Sequence, residues 1–367
     1  MIKFGPAGIP LSCKGRTLRD GIIDVHSLGL TALEYQLLRV NVVERAPYDD
    51  EIGKPLSEVG EFVVEIKRKE KNGVSLISDM DEKIKKKDML SILLTGPTRS
   101  AGDLRELNKL AKSLDVSLSV HVPYYIDLCV SQEIIERSIY YMKLAGIIAK
   151  ELDAKIVVTH IGPYNEKIGK KRSIDRAAKR IAEVVKWYSG HGIKAKLGLE
   201  PSGREDVIGT MDEIFSLCKK VRGTQPVLNI PHIHARTGGL MNDKGEVYQI
   251  LEKAKKFSPE LYIVFSGVIV EGKNEVKLTP VKSGNLKFEP LAECLIDNNY
   301  DATIISTSPL LEHDAMYLKI MYERVFAKKV PKIKEKLERK DLTQKEKKKK
   351  IQREKRKKQT ERGKKKK

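Results

Sequence analysis

The sequence predicts a (β/α)8 barrel of the TIM type, and three observations carry that expectation. Eight short apolar runs recur along residues 1–325 with helical stretches between them, the alternation of a parallel sheet with a helical coat. Several runs, "KIVVTH" at 155–160 and "LYIVFS" at 261–266 among them, are almost continuously apolar, as strands covered on both faces should be. No GxGxxG follows an early strand, so the competing fold, a doubly wound open sheet, lacks its phosphate-binding turn.

Taken in order, "IKFG" at 2–5 opens the barrel and "ALEYQLL" at 32–38 is its second strand. "VSLSVH" at 116–121, "KIVVTH" and "AKLGLE" at 195–200 are the third to fifth. "PVLNI" at 226–230, "LYIVFS" and "ATIIS" at 302–306 complete it. Of the helices between, "SQEIIERSIYYMKLAGIIAKELD" begins on a good N-cap, Ser131, and "SIDRAAKRIAEVVKWYSGHG" is equally periodic. Residues 46–102 interrupt the rhythm after the second strand. There "EFVVEIKRKE", "GVSLIS" and "DMLSILLT" alternate like short strands, which predicts a small β-rich insertion on the barrel rim. The domain reading is a barrel over 1–325 and a Lys/Arg-rich tail, helical or disordered, over 326–367.

Charge separates the two. Of the net +20, residues 328–367 carry 22 Lys/Arg against six Asp/Glu, a balance of +16, which leaves the body at only +4. A tail this dense suits sequence-independent attachment to a polyanion. The partner expected is nucleic acid, DNA or RNA, bound through 328–367. No aromatic lies beyond Phe326, so base stacking is not available there. No apolar run reaches membrane-span length, the N-terminus lacks a signal-peptide core, and the four cysteines form no CxxC pair. A monomeric cytoplasmic protein without membrane attachment is the expectation.

His121, His160 and Glu200 close the third, fourth and fifth strands, whose ends converge on the face where barrels carry their sites. A lone strand-end histidine is ordinarily a satisfied core residue. Three consecutive strands ending in two imidazoles and a carboxylate match a His2Glu metal set with one position open. His232 and His234 follow the sixth strand. Glu34 and Arg39 at the second strand's end could meet substrate or pair with each other, while His26, His191 and His313 read as structural or surface residues. The runs "KRKEKNG" and "EKIKKKD" read as solvated strand ends.

"HVPYYIDL", "THIGP", "LGLEPSGREDVIG" and "LNIPHIHARTGG" resemble successive strand-end motifs of the endonuclease IV family, and "KFGPAGIPLS" resembles its archaeal members. Those proteins are (β/α)8 barrels related to sugar isomerases of the xylose-isomerase-like superfamily. The resemblance covers roughly residues 1–325 apart from the insertion. It implies cleavage of DNA phosphodiesters at abasic sites with three zinc ions. His121, His160 and Glu200 match the ligands of the first ion, with Glu200 also bridging to a second. The second ion's remaining positions read Asn229, Val264 and Ser306 in place of an aspartate, a histidine and a glutamate. For the third, His232 survives, but the family's Asp-x-His has no counterpart in "GKNEVKLTP". An amide, an isopropyl group and a hydroxyl cannot replace two carboxylates and an imidazole around a dication. The implied site therefore holds one Zn2+ (or Mn2+) through His121, His160, Glu200 and His232, with Glu200 central to catalysis. Tyr124 matches an aromatic that wedges into DNA. Arg236, His234 and Asn229 complete the expected substrate contacts. The function expected is metal-dependent phosphodiester cleavage, with DNA repair as its context. A sugar or sugar-phosphate isomerase or epimerase, and a non-catalytic nucleic-acid-binding barrel, are the alternatives.

Overall fold

The computed structural model describes residues 1–71 and 73–331. Its barrel strands are β1 (Ile2–Pro6), β2 (Ala32–Gln36), β7 (Ser117–His121), β8 (Ile156–Thr159), β9 (Lys196–Leu199), β10 (Thr224–Asn229), β11 (Glu260–Phe265) and β14 (Asp301–Ser306). They form one parallel sheet in the order β1-β14-β11-β10-β9-β8-β7-β2, and all eight coincide with the apolar runs. The seam between β1 and β2 is drawn together by Thr31 N–H on the Phe4 carbonyl (3.0 Å) and Gly8 N–H on the Glu34 carbonyl (2.8 Å). Gly5 makes that approach feasible, because a Cβ there would lie 1.7 Å from the Ala32 carbonyl oxygen.

Helices α1 (Leu18–Ser27), α2 (Ala101–Ser113), α3 (Gln132–Glu151), α4 (Gly169–Gly190), α5 (Met211–Lys220), α6 (Ile230–Arg236), α7 (Lys244–Lys255) and α8 (Glu289–Asp297) link the strands. Ser131 caps α3 as its sequence implied, its hydroxyl accepting from Ile134 N–H. Thr17 with Asp20, Ser100 with Asp103 and Thr210 with Glu213 form capping boxes on α1, α2 and α5. Alternation with period two sends Ala32, Ile156, Val158, Val227, Tyr262, Val264 and Ile305 into the barrel as its apolar filling.

The insertion is a four-stranded antiparallel sheet that starts earlier than its sequence suggested. Its strands are β3 (Val42–Arg45), β4 (Val63–Glu70), β5 (Gly73–Ile77) and β6 (Met89–Leu93), in the order β3-β6-β4-β5. The boundary at 46 missed β3, whose "VVER" has too few apolar residues to read as a strand until β6 pairs with it. The insertion has its own filling of Leu56, Phe62, Ile66, Met80, Ile84 and Leu90, all buried. A second unanticipated element is the hairpin β12 (Gly267–Glu271) and β13 (Asn274–Thr279), which follows β11.

Met1–Lys319 form one compact unit and Ile320 begins another. Residues 312–331 are helical, and the tail from 332 onward, with its expected helical or disordered character, lies outside the described residues. Among the described residues no helix is long and apolar enough to cross a membrane. All four cysteines are free and buried.

Candidate metal centre

The three strand-end residues converge. One ligand atom from each of His121, His160 and Glu200 lies within 4.8 Å of the others. His121 Nε2 is 3.0 Å and His160 Nδ1 3.2 Å from the same oxygen, Glu200 Oε2. The registers explain this: parallel pairing of β7, β8 and β9 sets inward positions at the three strand ends side by side.

His121 is prepared for a ligand role by its other nitrogen. Nδ1 donates to the Val122 carbonyl at 2.6 Å, so Nδ1 carries the proton and Nε2 is the atom directed at the centre. Burial alone would depress the His121 pKa. The Glu200 hydrogen bond and the Glu34 carboxylate outweigh it, and the value rises to about 9. At His160 burial outweighs the attraction of Glu200. Burial, reinforced by His121 and His232, pushes it down to about 4. Burial opposes ionisation of Glu200, yet the charges of His160 and His121 and the His121 hydrogen bond hold its carboxyl well below the usual range.

The other oxygen of Glu200 is taken. Asn229 Nδ2 donates to Glu200 Oε1 at 2.8 Å, while Asn229 Oδ1 accepts from His232 N–H at 3.1 Å as the N-cap of α6. These two bonds fix which way the amide faces. Asn229, expected as a substrate contact, is instead a brace that occupies the oxygen a second ion would need. The other lost-ligand positions agree. Val264 is part of the apolar barrel filling, and the buried Ser306 hydroxyl has no partner among the described residues.

His232, expected among the ligands, stands outside the three-residue group. Its Nδ1 is in a short contact with Glu275 Oε2. Burial would lower the His232 pKa, but Glu275 raises it above the ordinary value. Glu275 is the residue that sequence reasoning missed. It sits on β13 within "GKNEVKLTP", and an isolated glutamate in a polar strand carries no signal of its own.

The remaining candidates are distributed. Tyr124 is 75% exposed on the loop after β7, edge-on to Tyr125. Arg236 Nη1 donates to the carbonyls of Arg204 and, at 3.0 Å, Val207, so this nitrogen braces the loop after β9 in place of an open phosphate contact. His234 is buried, with Nε2 3.3 Å from Asn285 Oδ1 and Nδ1 unpartnered among the described residues. Arg39 is exposed, whereas Glu34 is fully buried, so the two form no pair. Glu34 accepts from Tyr262 Oη (2.7 Å) and Gln36 Nε2 (2.5 Å), and burial raises its pKa.

Two imidazoles and a carboxylate facing one point, with His121 oriented from behind, fit a divalent cation. Residues 82–315, more than half of the chain, match the family described as xylose isomerase-like TIM barrel. The chain belongs to this family. An uncharacterized protein of Methanocaldococcus jannaschii is 28% identical over 218 residues, 58% of this chain and 78% of that protein. Among solved structures, endonuclease IV from Thermus thermophilus is similar with a TM-score of 0.57 at 14% identity, over 89% of this chain and 99% of that one. L-ribulose 3-epimerase reaches 0.52 at 12% identity, over 84% and 82% of the two chains. A D-tagatose 3-epimerase-like protein reaches 0.51 at 20%, over 63% and 85%. At these identities the likeness is one of fold, shared by an endonuclease and by epimerases alike.

Proposed function

We propose that the protein is a phosphodiesterase acting on nucleic acid with one metal ion in place of three. The observation that carries this reading is the open His121–His160–Glu200 group with the imidazole of His232 paired to Glu275 outside it. In hydrolysis of a phosphodiester, water forms the new P–O bond and gives up a proton while the P–O bond to the leaving oxygen breaks. The site must therefore place positive charge at a phosphoryl oxygen and deliver a proton to the leaving oxygen. His121, His160 and Glu200 would hold a zinc ion (or manganese), which when bound supplies Lewis-acid polarisation of the phosphoryl group. His232 supplies the proton: Glu275 occupies Nδ1 and raises the pKa of the ring, leaving Nε2 as the donor. Asn229 orients Glu200 and joins it to the α6 N-terminus. The Lys/Arg-rich tail supports a polyanionic substrate, and Tyr124 is exposed enough to meet it.

The test is a nicking assay on duplex DNA with an abasic site, with metal analysis of the same preparation. Cleavage should need metal and be lost in Glu200→Gln, since an amide is a poor ligand. Cleavage indifferent to chelator and to this substitution would sink the reading.

One observation favours a sugar or sugar-phosphate epimerase instead. Glu34 is buried, has a raised pKa and interacts electrostatically with His121, as a general base near an ion would. Sugar-phosphate turnover without nicking, abolished by Glu34→Gln, would establish that alternative. Bound metal with neither activity would leave a nucleic-acid-binding barrel.

A further inference from the structure

A cavity of about 850 Å3 lies outside the barrel wall, between the β1–α1 loop, the outer face of β2 and the rim sheet. The loops that shape it follow the C-terminal ends of β1 and β2, the same end of the barrel on which His121, His160 and Glu200 sit. Arg16 and Arg19 border it from the start of α1, and Arg99 from the loop between β6 and α2. Thr17 and Thr98 also line it, their hydroxyls already donating to the Asp20 carboxylate and the Ser100 carbonyl, and Tyr35 contributes to the barrel side.

The state of these arginines is what distinguishes the cleft. All three are exposed, and among the described residues none makes an ion pair. Arg16 is steadied by a bond from Nη1 to the Pro10 carbonyl (3.0 Å). The arginines inside the rim sheet behave differently, Arg45 pairing with Glu51 and Glu61, and Arg68 with Glu82 and Asp88. The carboxylates that line the cleft do not answer the three guanidinium groups. Glu61 is paired with Arg45, and Asp103 accepts from Ser100 N–H in the α2 capping box. Planar guanidinium forks without carboxylate partners match phosphate oxygens. They come from two segments of chain and are all exposed, which suits spaced phosphates better than one enclosed anion. Arg16, Arg19 and the wall at Gly60–Phe62 precede residue 82, so they lie outside the family match.

We propose that this cleft is a phosphate-backbone subsite that holds a nucleic-acid strand on the face of the metal centre. The proposal rests on the nucleic-acid reading given above and names where the strand is gripped. It is tested by the salt dependence of duplex binding for the full chain and for an Arg16→Gln, Arg19→Gln, Arg99→Gln variant. Each phosphate contact adds about 0.9 to the slope of log affinity against log salt, so three lost contacts flatten it by about 2.7. Between about 50 and 200 mM salt the native chain should then lose about 40-fold more affinity than the variant. The corresponding Arg→Lys variant keeps the charge and should keep the slope, which separates lost contacts from lost fold.

An unchanged slope in the glutamine variant overturns the proposal. So does loss of inorganic pyrophosphate binding alongside an unchanged duplex slope, which would assign the cleft to a small phosphorylated molecule. Binding is read without cleavage, so the two readings fail separately. A flattened slope without nicking removes the phosphodiesterase and keeps the subsite; nicking with an unchanged slope does the reverse.

Discussion

At the scale of single residues the site is defined by what each polar atom of Glu200 faces. Oε2 is directed at His121 and His160, and Oε1 is engaged by Asn229. The expected stoichiometry is therefore about one tightly held ion per chain, read by elemental analysis after dialysis. His160→Ala should abolish retention with little change in the thermal unfolding midpoint; three ions per native chain would contradict the role given to Asn229. Protonation sets the pH dependence of that binding. With the His121 pKa at about 9, an incoming ion displaces the Nε2 proton, so affinity should rise about tenfold per pH unit between roughly pH 7 and 8. Titrations in buffers of different ionisation enthalpy count the released proton. For the metal-free chain the linkage runs oppositely. A raised folded-state pKa contributes stability fully below about 6.5, and that contribution fades as pH climbs through about 9.

At the scale of elements, strand approach rather than strand propensity limits which substitutions the barrel accepts. Gly5 and Gly198 both lie on barrel strands at points of close approach, but what a methyl group would meet differs. At Gly5 it meets the backbone oxygen of Ala32, which can move only if β1 and β2 separate. At Gly198 it meets side chains only, Ile156 Cδ1 at 2.6 Å and Ile156 Cγ1 and Val227 Cγ2 each at 2.9 Å, which can shift without parting the strands. Gly5→Ala should therefore cost about 3 kcal/mol in denaturant unfolding and Gly198→Ala about 1 kcal/mol, both as overpacking. Equal costs would show that the seam yields as readily as the interior. The β12–β13 hairpin has a functional consequence of the same kind. It delivers Glu275 to His232, so Glu275→Gln should lower the pKa of His232, observable in the imidazole resonances on titration.

At the scale of the whole molecule, charge is partitioned rather than spread. Residues 1–327 are near neutrality at +4 and residues 328–367 carry +16. Most non-specific affinity for nucleic acid is expected to reside in the tail, with the arginine cleft adding a smaller share. If the tail engages on the order of 6 phosphates, affinity should fall about 10³-fold between about 50 and 200 mM salt. Truncation after Val330 should flatten that slope and weaken binding alike for every sequence, because phosphate contacts carry no base information. Sequence-selective, salt-independent binding by the full chain would contradict this assignment.

What the sequence by itself determined was whatever depends on near neighbours along the chain. Period-two and period-3.6 patterns located all eight barrel strands and helices such as α3, and strand-end positions brought His121, His160 and Glu200 into view. Apolar alternation is local, and parallel strands of similar length place their ends together once they pair. Tertiary structure alone decided the partners across the barrel. Glu275 meets His232 over a separation of 43 residues, and Tyr262 meets Glu34 over 228. Asn229 was legible as a lost ligand, but its grip on Glu200 was not, because an amide's direction is set by the groups around it. The same holds for Arg236, which reads as a phosphate contact until the loop carbonyls it holds are in place. Hydrogen-bond partners of buried polar groups are chosen by strand register and loop closure, and neither is written in the spacing of any one segment.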